Sequence, residues 1–116
     1  NAKTQTADDT GEKPTGIRIP GYPSITIEAD KKDVQMNLMN PEGNPCYFTF
    51  EIVLNDTDET IYTSKMVEPG KAITEVTLEK VLAAGEYPAT IKITTASLAD
   101  GSAMNGANVE TTIIAQ

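Results

Sequence analysis

An all-β domain, two antiparallel sheets packed face to face, is predicted by three features of this 116-residue chain. Short apolar runs of period two recur from Gly16 onward, clusters of Gly, Pro, Asn and Asp separate them, and no stretch carries a sustained helical period. The length suits a single core and leaves no room for a second independent unit. With no Trp, four Tyr and two Phe, that core has to be built mainly from Ile, Val, Leu and Met.

Residues 1–15 contain no Val, Ile, Leu, Met or aromatic side chain and are rich in Thr, Asp and Lys, so they are expected to be a disordered polar tether ahead of a domain at 16–116. Ile17 to Pro20 and Ser24 to Glu28, interrupted by Pro20-Gly21-Tyr22-Pro23, read as a split edge strand, where proline is tolerated. Val34 to Met39 alternates Val34, Met36 and Leu38 with Gln35 and Asn37. After the turn formers of Asn40 to Pro45, Cys46 to Leu54 is the strongest strand, with Phe48, Phe50, Ile52 and Leu54 facing the core. Asn55-Asp56-Thr57-Asp58 turns into Glu59 to Ser64, and Lys65 to Val67 prolongs that strand or crosses to the other sheet.

The turn Glu68-Pro69-Gly70-Lys71 leads to Ala72 to Leu78, and Glu79 to Gly85 is compact enough for one helical turn. Glu86 to Thr95 is the penultimate strand, with Ala89, Ile91 and Ile93 inward, and Val109 to Ala115 is the last. Between them Ala96 to Asn108, small and polar, is expected to be a long loop. Seven to eight short strands at this spacing are the signature of an immunoglobulin-like or fibronectin III-like β-sandwich. Leu82, Gly85 and Tyr87 have the spacing of a tyrosine corner, in which the Tyr hydroxyl bonds back to the preceding connection.

The run Leu82-Ala83-Ala84-Gly85-Glu86-Tyr87, followed by alternating Ala89 to Ile93, resembles bacterial extracellular Ig-like modules. The stretch 16–116, with Asn44 to Phe50 and Met104 to Asn108, is similar to an uncharacterised group of surface lipoproteins of Gram-positive bacteria. That resemblance implies an extracellular, cell-surface location with a lipid anchor upstream of residue 1, and it carries no functional residues. The same run occurs in stalk modules with Lys–Asn isopeptide cross-links. The penultimate strand here has no inward acid, so no cross-link is expected.

The chain contains no His, which removes the usual general base, imidazole ligand and nucleophile partner, and its acids fall in turns or on outer strand faces. It is therefore expected not to be an enzyme and to need no cofactor. Cys46 shares the parity of Phe48 and Phe50 and should be a small buried hydrophobe. A net charge of −8 disfavours nucleic acid and anionic lipid, and no run is long and apolar enough to cross a membrane. Asp30 and Asp33, with Asp56 and Asp58, share one end in immunoglobulin order; solvated turn acids are the expected role and a calcium site the alternative.

At the opposite end that order gathers Asn40 to Pro45, Glu68 to Lys71 and Ala96 to Asn108 near Pro20 to Pro23. Tyr22, Asn44, Ser102, Met104, Asn105 and Asn108 are the ligand candidates there, offering hydrogen bonds and some apolar contact. The alternative is that Asn and Gly serve only the turns. The expected function is a monomeric, non-catalytic surface module that binds a protein or glycan, against a stalk subunit pairing through edge strands or a proteinase-inhibitor-like sandwich using the Ala96 to Asn108 loop.

Overall fold

Alternation in the sequence becomes seven strands in the computed structural model, which describes residues 17–116; the expected tether at 1–15 lies outside the described residues. They are β1 (Ser24–Ile27), β2 (Asp33–Met39), β3 (Cys46–Leu54), β4 (Thr60–Thr63), β5 (Ala72–Thr77), β6 (Gly85–Ser97) and β7 (Ala103–Ala115). No helix occurs among the described residues. One sheet has the order β1-β7-β6-β3-β4, and β2 pairs with β5 in the other. Every pairing is antiparallel except that β1 runs parallel to β7.

The period-two pattern explains the core. From β3 come Cys46, Phe48, Phe50, Ile52 and Leu54, from β6 Ala89, Ile91 and Ile93, and from β2 Val34, Met36 and Leu38, all buried in one cluster with Val76 and Ile113. The rings of Phe48 and Phe50 meet edge to face, centroids 5.8 Å apart, an arrangement that adds about 0.5–1.5 kcal/mol to their burial. Val53, on the opposite face of β3, is also buried, in register with Thr90 of β6 and Thr60 of β4.

Four expectations are corrected. Ile17 to Pro20 is not a strand, although Ile17 packs into the core. Lys65 to Val67 contributes only one isolated bridge, Val67 to Phe48. Glu79 to Gly85 forms no helical turn, because Leu82 inserts into the core and its carbonyl accepts the Asp30 N–H, which holds the segment open. The expected loop Ala96 to Asn108 is mostly strand: β6 and β7, thirteen residues each, form one hairpin closed by residues 98–102. Ladder bonds to β6 override the weak strand preference of Asn and Gly in that stretch.

Candidate functional site

One end of the molecule is organised by two buried amides. Asn40 follows β2, is fully buried, and uses every hydrogen-bonding group it has. Its side-chain amide donates to the Cys46 carbonyl at 2.9 Å and the Val67 carbonyl at 2.8 Å, and its Oδ1 accepts from Asn44 Nδ2 at 2.8 Å. Its main-chain N–H donates to Lys71 and its carbonyl accepts from Gly70. Asn40 thereby ties the start of β3, the Val67 crossing and the turn before β5 into one unit.

Asn44 extends this network to the N-terminal segment. Its Oδ1 accepts the Arg18 N–H at 2.7 Å and its Nδ2 donates to the Arg18 carbonyl at 3.0 Å. The side-chain amide thus copies the donor and acceptor pair of a neighbouring strand, which is how residues 17–20 stay docked without a ladder of their own. The Leu98 N–H donates to the Pro45 carbonyl, so the tip of the β6–β7 hairpin is fastened to the same end.

The six ligand candidates do not converge. Asn44 is buried and spent on Arg18 and Asn40, so it is a structural clamp rather than a contact residue. Tyr22 is half-buried, and its hydroxyl accepts the Met39 N–H; burial raises its pKa, with a smaller opposing effect from that bond. Ser102 lies in the hairpin turn, donating through N–H and hydroxyl to Asp100, whose carboxyl these bonds hold below its ordinary value. Met104 is half-buried against the core, Asn105 sits at an irregularity of β7, and Asn108 lies on the outer sheet face in register with Lys92. Asn105 and Asn108 are therefore strand residues, not loop residues.

The sequence reading missed the apolar side chains that this end exposes. Met66 is 61% exposed, Leu98 46% and Met39 37%, three of the four large hydrophobic residues exposed among the described residues. Each adjoins the network: Met39 donates to Tyr22, Met66 precedes Val67, and Leu98 donates to Pro45. The signal was present, since Met39 continues the outward parity of Gln35 and Asn37, where a polar residue is the default. Cys46 is buried beneath this end, and burial pushes its thiol pKa up, away from reactivity.

The opposite end is built from turns. Asp30 and Asp58 occupy left-handed backbone positions, φ 62° and 63°, and Asp33 accepts from the Thr77 hydroxyl, so turn and strand geometry accounts for three of the four metal candidates. No group of three or more His, Cys, Asp or Glu able to hold a metal ion occurs among the described residues. Asp56 instead borders a half-open groove of about 320 Å³ walled by Leu54, Val81, Leu82, Tyr87 and Pro88. Across it Lys80 donates to Glu59 at 2.8 Å, and this bond, with one from Thr57, holds the Glu59 carboxyl below its usual range. The Tyr87 hydroxyl donates to the Ala83 carbonyl at 2.5 Å and pins the connection into β6.

No protein-family model, curated protein or solved structure matches this chain.

Proposed function

We propose that the chain is a non-catalytic β-sandwich module with immunoglobulin-like strand order, carried on a bacterial cell surface as part of a lipoprotein, and that it binds a protein partner through the end organised by Asn40. The observation that carries the binding reading is the placement of exposed Met39, Met66 and Leu98 around loops fixed by a buried polar network. Methionine side chains adapt their shape to a partner, while fixed loops lower the ordering cost of association. The strand order β1-β7-β6-β3-β4 against β2-β5, with β1 parallel to β7, supports the immunoglobulin-like part. The surface location rests on the resemblance of 16–116 and on the polar composition of 1–15.

The test is capture of surface proteins from intact cells by the purified chain and by the double variant Met66→Lys, Leu98→Lys. Loss of a specific captured protein with unchanged melting temperature is expected. Capture that survives in a folded variant overturns the assignment of this end.

A second reading, assembly through edge strands, is favoured by β5, which among the described residues pairs only with β2. Sedimentation decides it: concentration-dependent association supports a stalk, and a monomer at high concentration removes it. The inhibitor-like reading loses its long loop, because only residues 98–102 separate β6 from β7.

A further inference from the structure

The irregularity in β7 places an Asn-Gly pair where main-chain chemistry can reach it. β6 and β7 pair Thr95 with Met104 and Ile93 with Ala107, so the single residue Thr94 faces two, Asn105 and Gly106, neither of which has a partner in that ladder. This is a β-bulge, which leaves its extra residue unpaired and disrupts the ladder locally. Glycine is required there, because a Cβ on residue 106 would run into the Ile93 carbonyl oxygen. Asn105 is exposed, and among the described residues its side-chain amide makes no hydrogen bond. Its main-chain carbonyl, by contrast, accepts the Thr95 hydroxyl at 2.8 Å. A donor on that oxygen draws electron density from the peptide and acidifies the Gly106 N–H. Beside Gly106 lies an open depression of about 390 Å³, lined also by Glu51, Lys92, Thr94 and Asn108, which admits water.

We propose that Asn105-Gly106 is a site of self-modification: cyclisation to a succinimide followed by hydrolysis to aspartate and isoaspartate. The Gly106 nitrogen, giving up its proton, forms a bond to Asn105 Cγ; the Cγ–Nδ2 bond breaks, and the amide nitrogen leaves as ammonia with that proton. Water then adds across one imide C–N bond. Opening at the former side-chain carbon gives aspartate, and opening at the main-chain carbonyl gives isoaspartate, with the chain rerouted through the side chain. The sum is amide plus water to acid plus ammonia, with no change of oxidation state.

The other asparagines of the described residues are built against this step. Asn40 and Asn44 precede proline, which has no N–H, and their side-chain amides are engaged in hydrogen bonds. Asn37, Asn55 and Asn108 precede Leu38, Asp56 and Val109, whose side chains crowd the attacking nitrogen. The modification adds a negative charge to a chain already at −8 and, in the isoaspartate form, lengthens the main chain inside the hairpin that leads to residue 98. Molecules of different age would then differ in one strand.

The test is incubation of the folded chain at physiological temperature across neutral to mildly alkaline pH, followed by peptide mapping that separates asparagine, aspartate and isoaspartate. Conversion at Asn105 should run about tenfold faster than at Asn37 or Asn108, as expected where glycine leaves the attacking nitrogen uncrowded and the bulge leaves the pair outside the ladder, and should accelerate as pH rises. Asn105→Gln, whose longer side chain disfavours the five-membered ring, should stay unmodified at that position while melting like the parent. Conversion no faster than at Asn37 and Asn108, or conversion confined to chain unfolded in urea, overturns the proposal.

Discussion

The two ends of this sandwich are fastened by the same kind of bond in opposite surroundings. At one, Asn40 and Asn44 are buried and join four chain segments through side-chain hydrogen bonds, those of Asn40 buried and those to Arg18 part-buried. At the other, the Tyr87 to Ala83 bond and the Lys80 to Glu59 pair do comparable topological work with their polar atoms open to solvent. A buried polar group whose partner is removed bears its full desolvation cost, whereas an exposed one rebonds to water. The first end should therefore behave as a rigid unit that fails all at once. The second should loosen gradually and cheaply.

The sharpest way to break that contrast is Asn40→Ala. It removes one hydrogen bond each from the Cys46 carbonyl, the Val67 carbonyl and the Asn44 amide in a buried setting, the latter two keeping Phe48 and Arg18 as partners, and a loss of about 3 kcal/mol is expected in urea unfolding. The same variant should expose Cys46 to thiol reagents under native conditions, while the parent is labelled only on unfolding. A loss below about 1 kcal/mol would show that the buried network is not what holds this end.

Tyr87→Phe removes a single solvent-accessible bond and should cost about 1 kcal/mol by the same measurement. Thr111→Val separates burial from bonding. The Thr111 hydroxyl is buried with no hydrogen-bond partner among the described residues, so its replacement by a methyl should raise stability by about 1 kcal/mol in thermal unfolding. A destabilised variant would mean that this hydroxyl is hydrogen-bonded in solution.

The smallest effect belongs to Lys80 and Glu59. A double-mutant cycle at physiological salt should give a coupling close to zero, because both side chains are nearly half exposed. Its pH dependence has a fixed sign. Glu59 is held below the ordinary carboxylate pKa, so whatever the pair contributes is present above that range and is lost as pH falls through it; stability rising on acidification would contradict the pairing.

Where the sequence was legible, side-chain pattern and surroundings agreed. Cys46 to Leu54 alternates cleanly, and its inward set is buried, with Val53 of the opposite face buried in addition. The hairpin was not legible, because Ala96 to Asn108 is small and polar with no clean alternation; its strands exist through pairing with each other and of β6 with β3, a cause that no single strand's pattern records. Nor could Asn40 be distinguished from an ordinary turn residue, since Asn beside Pro and Gly reads as turn chemistry whether or not the amide is buried. Its role depends on carbonyls supplied by Cys46 and Val67, the latter 27 positions away. Exposed Met39 was visible as a violation of parity, but a violation becomes a surface only when the fold brings several such residues together.

The parallel pairing of β1 with β7 has a mechanical consequence. Ser24 to Ile27 lies in register with Thr112 to Ala115, and Gln116 bonds to Ile27 and Ala29 beyond the last rung. Arg18 is clamped at the Asn40 end, whereas Gln116 lies at the far one, so tension applied between residues 17 and 116 would draw β1 and β7 in opposite directions along their length. The rungs between them would then be loaded in shear and share the force, instead of unzipping one after another.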